Sequence, residues 1–158
     1  MARPARNSSP EKTTYSSRTF FATTKTHDGR RLLQSERNAT LLIDVLRKSV
    51  AAKNFQLHDF VIMPDHLHLL VTVDEQMTIE KAMQLIKGRF SYLLKKNYGY
   101  LGEVWQRGFS EVRADDEVSF TRHRKYIAQN PVKAGLSASP EEYPFCFGYL
   151  ASKKARRG

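Results

Sequence analysis

Residues 55–73 read FQLHDFVIM, then PD, then HLHLLVTV, and they are the strongest indication of the fold. The segments on either side of Pro64-Asp65 are rich in apolar and β-branched residues, which favour strands. Proline followed by aspartate is typical of a turn. Because so short a connection joins neighbouring strands, the stretch predicts an antiparallel hairpin formed by Phe55–Met63 and His66–Val73.

The segments around the hairpin predict further helices and strands. Upstream, Phe20–Thr24 has strand composition, and apolar residues recur at helical spacing over residues 35–53. Downstream, Thr78 can cap a second amphipathic helix. Each of these helices has one apolar side, so both should pack against a sheet.

The C-terminal part of the chain predicts one more strand and one more helix. Val104–Arg113 has strand composition and is interrupted at Gly108. Asp115 and Asp116 are good N-caps for a helix that we expect to run to about Gln129. Pro131 should stop that helix, because proline pushes the preceding residue away from helical geometry.

The predicted order of elements is strand, helix, strand, strand, helix, strand, helix. Its core matches the ferredoxin-like pattern. We therefore expect the α+β class, with an antiparallel sheet and helices packed on one face. The main domain should cover residues 19–136, between a flexible basic arm at 1–18 and an irregular basic tail at 137–158.

The charge balance indicates a polyanionic partner. The chain of 158 residues, enough for one compact domain, has 26 Lys and Arg against 16 Asp and Glu, a formal net charge of +10. Nucleic acid is the first candidate and an acidic membrane surface the second. Because the sequence has no signal peptide, no apolar run of membrane-spanning length and a lone cysteine, Cys146, we expect a cytoplasmic protein without a membrane partner.

His66-Leu67-His68 is a candidate metal-binding motif. Side chains two apart on a strand share a face, so both imidazoles project to one side. Two imidazoles so placed can bind one metal ion if a third ligand comes from elsewhere. Taken alone the motif is weak, because such histidines are often simply hydrogen-bonded or exposed. The other three histidines lie in no recognised zinc spacing.

Tyr126 and Asn130 form a second candidate pair. They are four apart, so on a helix they occupy one side. Arg122, Arg124 and Lys125 nearby favour a bound phosphate. The alternatives are ordinary: tyrosine often packs at the rim of a core, and Asn130 could cap the end of its helix.

Three motifs together resemble those of the single-tyrosine transposases of the HUH superfamily. Within that superfamily they resemble the REP-associated tyrosine transposase (RAYT) type. In chain order they are Val61–Leu70, with its core of histidine, hydrophobic residue and histidine, then Val104–Phe109 and Tyr126–Leu136. The resemblance extends from about residue 20 to residue 136. Two sites depart from the family pattern: Asp65 stands where asparagine is usual, and Glu111-Val112 stands where an aspartate-histidine pair is frequent.

The resemblance implies an enzyme with its catalytic tyrosine on a C-terminal helix. Tyr126 would attack single-stranded DNA and form a 5′-phosphotyrosine link, so the function implied is metal-dependent cleavage and strand transfer. His66, His68 and Asn130 would hold a divalent ion, Mg²⁺ or Mn²⁺. These donor types agree with that role, since imidazole suits Mn²⁺ and an amide oxygen suits both ions.

The expected partner is single-stranded or hairpin DNA, bound by a monomer or a homodimer. Basic groups near the tyrosine and in the tail can contact phosphates. Trp105 could stack on a base or could equally be a core residue. The residues predicted to bind nucleic acid are Arg122, Arg124, Lys125, Lys133, Lys153, Lys154, Arg156 and Arg157.

Two other functions are considered. The chain could be a domesticated protein that recognises hairpin repeats in DNA without turnover, although pure binding needs neither Tyr126 nor the two histidines. It could also be a basic RNA-binding domain of ferredoxin-like fold. The aromatic strand motifs of that class are missing from the sequence.

Overall fold

The computed structural model of the protein describes residues 17–147. In this range no helix is long and apolar enough to cross a membrane. The strands are β1 (Arg18–Lys25), β2 (Gln56–Met63), β3 (His66–Val73) and β4 (Ser110–Arg113), and the α-helices are α1 (Glu36–Ala51), α2 (Ile79–Tyr98) and α3 (Glu117–Lys133). The predicted tail residues Lys153, Lys154, Arg156 and Arg157, and most of the predicted arm, lie outside the described residues.

The four strands form one antiparallel sheet in the order β2-β3-β1-β4. β2 and β3 are the predicted hairpin, with Met63 opposite His66 across the Pro64-Asp65 turn. β1 lies between β3 and β4 and is antiparallel to both. Because α1 connects β1 to β2 and α2 connects β3 to β4, this is the ferredoxin-like arrangement. The predicted fold class is confirmed.

Each face of the sheet has its own apolar cluster. On one face, residues of β3 such as Leu67 and Leu69 pack with α1 and α2. On the other face, Val61 and Leu70 pack with Ile127 of α3. The predicted packing on one face thus holds for α1 and α2, while α3 lies on the opposite face. The reason is that β2 and β3 are apolar on both sides, as in sheets covered on both faces.

The last helix passes through Pro131, so the prediction that it ends near Gln129 was wrong. α3 continues to Lys133, and the proline ring is buried. A proline in the last turn removes one backbone hydrogen bond, and burial of its ring offsets part of that cost. Beyond the helix C-cap Ala134, Gly135 has a φ of 76°, and the Leu136 amide donates a hydrogen bond of 2.8 Å to the Pro131 carbonyl.

The predicted strand Val104–Arg113 is regular only after the break at Gly108, whose φ is 76°. Before the break, Trp105 makes an isolated bridge with Thr26. Trp105 is 9% exposed and donates its indole N–H to the carbonyl of Lys87 at 3.0 Å. It is therefore a core residue, and its burial does not support the alternative of base stacking.

The first part of the predicted irregular tail is attached to the edge of β2. The hydroxyl of the buried Tyr143 donates to the carbonyl of Ile62 at 2.6 Å. The amide of Ile62 in turn donates to the carbonyl of Phe145 at 2.9 Å. Residues 143–147 therefore cover the outer edge of β2, which would otherwise present unpaired backbone groups.

Candidate active site

His66 and His68 lie on the face of the sheet that α3 covers. Both belong to β3, and their ring centroids are 4.7 Å apart. On the neighbouring strand β1, Lys25 is paired with His66 and Thr23 with His68. Because directly paired residues share a face of the sheet, Thr23 and Lys25 belong to the same surface as the two histidines.

The hydrogen bonds of the two imidazoles leave one nitrogen of each for a ligand. Nδ1 of His66 is 2.7 Å from Oδ1 of Asp65, and Nδ1 of His68 is 2.8 Å from Oγ1 of Thr23. Nε2 of His68 is buried without a hydrogen-bond partner among residues 17–147, which ordinarily costs about 1–3 kcal/mol. Metal-binding histidines are commonly held by their second nitrogen in this way. The two Nε2 atoms therefore fit a divalent ion.

Burial keeps the imidazole of His68 neutral. Only 5% of the residue is exposed. The pKa of His68 is lowered to about 3, first by the loss of hydration on burial and then by the positive charges of His66 and Lys25. Neutral imidazole is the form that binds metals. At neutral pH, His68 can therefore bind an ion without first losing a proton.

Tyr126 contacts His68 and Phe21 edge-on. Its ring centroid is 5.4 Å from that of His68 and 5.8 Å from that of Phe21. Phe21 is itself stacked between His68 and His123, at 5.2 and 4.5 Å. These ring contacts hold α3 against the sheet at the histidines. The tyrosine nevertheless remains 44% exposed, so much of its side chain is open to solvent.

Asn130 lies one helical turn after Tyr126 and on the same side of α3. The expectation that Pro131 forces Asn130 into an extended backbone was wrong, because both residues are within the helix. The helix C-cap is Ala134 and not Asn130. Among the described residues, no group of three or more His, Cys, Asp and Glu could hold a metal ion. The amide of Asn130 is of another ligand type, and its role stays a prediction.

The basic residues predicted to bind DNA divide between two sides of α3. Arg122 and Lys133 are both exposed. Because Arg122 is four positions before Tyr126 and Lys133 seven positions after it, both lie on the Tyr126 side of the helix. In contrast, Nε of Arg124 is 3.5 Å from Oδ2 of the buried Asp59. Arg124 and Lys125 line a separate cavity of about 570 Å³.

Several residues around the histidines were missed because they come from another part of the chain. Thr23 precedes its partner His68 by 45 positions. The alternation of Phe21, Thr23 and Lys25 along β1 is visible in the sequence, but only the pairing of β1 with β3 brings these residues to the site. Val112, at the position where the family frequently has histidine, lies opposite Phe21.

Comparison with known proteins identifies the family of the chain. Residues 14–130 match the family model described as Transposase IS200 like. The chain is 27% identical over 92 residues to the REP-associated tyrosine transposase of Escherichia coli strain K12, covering 58% of this chain and 53% of that protein. It is 30% identical over 71 residues to the transposase for insertion sequence element IS200 of Salmonella typhimurium, covering 41% and 47%. The chain thus spans about half the length of these relatives.

Among solved structures, a REP-associated tyrosine transposase bound to a REP hairpin has the same fold. The TM-score is 0.72 at 23% identity, over 87% of this chain and 81% of that one. The resemblance inferred from the three sequence motifs is confirmed, because the family model covers most of the chain. This protein belongs to the IS200-like transposase family.

Proposed function

We propose that the protein cleaves single-stranded DNA and transfers strands through a 5′-phosphotyrosine link on Tyr126, in a reaction that requires a divalent ion. The observation that carries the proposal is the pairing of Tyr126 with His68. Their ring centroids are 5.4 Å apart, and Nε2 of His68 is buried without a partner in the described part of the chain. A nucleophile and a ligand nitrogen this close can act on one phosphate group.

The covalent step begins with attack of the Tyr126 oxygen on phosphorus. A bond forms between these two atoms, and the bond from phosphorus to the 3′-oxygen breaks. The tyrosine proton passes to solvent, which reaches this side chain because it is 44% exposed. The 3′-oxygen leaves and takes up a proton from solvent. Because the phosphotyrosine keeps a phosphodiester bond, a 3′-hydroxyl can later attack it and release Tyr126 without an external energy source.

The proposed ion, Mg²⁺ or Mn²⁺, would be held by His66, His68 and Asn130. When bound, it neutralises charge on the phosphate and orients that group for attack. The chain's own residues prepare this site. Thr23 and Asp65 hold the two imidazoles by their Nδ1 atoms, and burial keeps His68 neutral by lowering its pKa.

The proposed substrate is single-stranded DNA beside a hairpin. The net charge of +10 favours a polyanion, and Arg122 and Lys133 are exposed on the Tyr126 side of α3. A structural neighbour was solved with a REP hairpin bound, which makes hairpin DNA the natural first substrate to test.

The test is formation of a covalent adduct. Labelled hairpin DNA with a single-stranded extension is incubated with the protein and Mn²⁺, and the products are separated on a denaturing gel. Wild type should give a protein-DNA adduct and Tyr126→Phe none, while hairpin affinity stays nearly unchanged because only a neutral hydroxyl is lost. Tyr92→Phe, an exposed tyrosine of α2, is the matched control and should react like wild type.

Two outcomes would contradict the proposal. An adduct with Tyr126→Phe would mean that another tyrosine is the nucleophile, with Tyr98 and Tyr100 the next to be replaced. Tight hairpin binding by wild type without any adduct in Mg²⁺ or Mn²⁺ would favour the alternative of a DNA-binding protein without turnover.

A further inference from the structure

A groove of about 250 Å³ opens beside the two histidines. It is lined by residues of β1, of the segment before β4 and of β4 itself, including Thr23, Lys25, Arg107 and Phe109. Thr23 also holds His68 through Nδ1, so the groove and the candidate metal site share a wall. Of the lining residues, Lys25 and Arg107 are cationic and none is acidic. The groove therefore favours an anionic ligand.

Lys25 brings its positive charge next to the histidines. It is paired with His66 across β1 and β3, and directly paired residues have Cβ atoms about 5 Å apart. Its charge is close enough to contribute to the lowered pKa of His68. Lys25 is exposed, and neither it nor Arg107 forms an ion pair with another described residue. As far as the described part of the chain is concerned, both cations are therefore available to an external anion.

The wall that carries Arg107 is fixed in place by its backbone. Nζ of Lys87, on α2, donates to the carbonyls of Gln106 and Gly108 at 3.1 and 2.7 Å. The amide of Gln106 donates to the carbonyl of Lys25 at 2.8 Å. The residues on either side of Arg107 are thus tied to α2 and to β1, so the groove exists before any ligand binds. A preformed site loses less conformational entropy on binding.

We infer that Lys25 and Arg107 bind the DNA backbone phosphate that neighbours the one attacked by Tyr126, and this inference rests on the proposed function. A single strand that places one phosphate at the histidines can continue along the groove, because Thr23 belongs to both. The adjoining groove offers two cations that have no ion-pair partner among residues 17–147, and lysine and arginine are the usual ligands of backbone phosphates. Lys25 and Arg107 would then fix the register of the strand relative to Tyr126.

The experiment is a charge-removal scan of the DNA, read by binding in the presence of a chelator. A hairpin with a single-stranded extension is prepared with one neutral methylphosphonate at each linkage in turn, and affinities are measured by fluorescence anisotropy. For wild type, neutralising the linkage held in the groove should weaken binding. Lys25→Met should bind the unmodified DNA about tenfold more weakly, as expected for the loss of one charged hydrogen bond. Neutralising the linkage held in the groove should not lower the affinity of this variant further. Its log-log salt slope should fall by about 0.7.

Lys48→Met is the matched control, because Lys48 is exposed on α1, on the opposite face of the sheet. It should keep the full wild-type methylphosphonate profile. A Lys25→Met profile with the wild-type response at every linkage would overturn the inference, as would an unchanged profile in Arg107→Gln. Since the scan needs no chemistry, a wild-type protein that binds through the groove but forms no adduct would refute the proposed function, whereas phosphate binding by Lys25 and Arg107 would stand without its link to Tyr126.

Discussion

Thr23→Val tests the proposed metal site while both histidines stay in place. The replacement keeps the β-branched shape but removes the hydroxyl 2.8 Å from Nδ1 of His68. Nε2 of the same ring already lacks a partner among the described residues, so the variant would bury an imidazole with neither nitrogen bonded. Leaving one buried polar atom without a partner lowers the free energy of unfolding by about 1–3 kcal/mol. For a domain of this size, the melting temperature should fall by roughly 3–10 °C.

The decisive measurement is metal affinity without DNA, by calorimetric titration of Mn²⁺. If Thr23 orients His68 as a ligand, Thr23→Val should bind Mn²⁺ about 10- to 100-fold more weakly. Thr23→Ser keeps the hydroxyl and should stay close to wild type in both affinity and stability. A lower melting temperature with unchanged Mn²⁺ affinity would show that Thr23 stabilises the fold but does not orient His68 as a ligand.

Two further predictions concern the same site. In excess chelator, the free energy of unfolding should fall as the pH drops below 6.5, the ordinary pKa of histidine. The reason is that His68 takes up a proton in the unfolded chain but not in the folded one, where its pKa is lowered to about 3. Urea unfolding should show a loss of about 2 kcal/mol at pH 5 relative to pH 7, and equal stability at the two pH values would contradict the prediction. Asn130→Ala should nearly abolish cleavage, partly recovered at high Mn²⁺, while Asn130→Asp should keep weak, metal-dependent cleavage. Wild-type metal titration curves for both variants would remove Asn130 from the ligand set.

The hairpin and the helix starts could be predicted because each has a strong local signal. β3 spans His66–Val73, with the bounds expected from its composition. The side chains of Thr78 and Asp116, both named as caps from the sequence, each accept a backbone N–H at the start of a helix, and Ser35 does the same for α1. Capping and turn chemistry act within a few residues, so a single sequence is enough to reveal them.

The arrangement around the histidines could not be predicted because it depends on packing between distant segments. The rule that proline ends a helix failed at Pro131, which is a buried residue within α3, and no local pattern reports that burial. The apolar runs of β2 and β3 predicted strands but did not say that a helix would cover each face. The partnership of Thr23 with His68 and of Lys25 with His66 follows from the register of β1 against β3. The sequence does not reveal this register, because α1 and β2 lie between the two strands.

The continuity of α3 through Pro131 has a mechanistic consequence. His66 and His68 are fixed to the sheet, whereas Tyr126 and Asn130 are on one rigid helix that meets the sheet through ring contacts and the small cluster around Ile127. Had the helix ended before Pro131, Asn130 could have adjusted independently of the tyrosine. As it is, an ion held jointly by the histidines and Asn130 would tie α3 to the sheet. The ion would then also fix the distance from Tyr126 to the phosphate, so binding of the ion and alignment of the nucleophile would occur together.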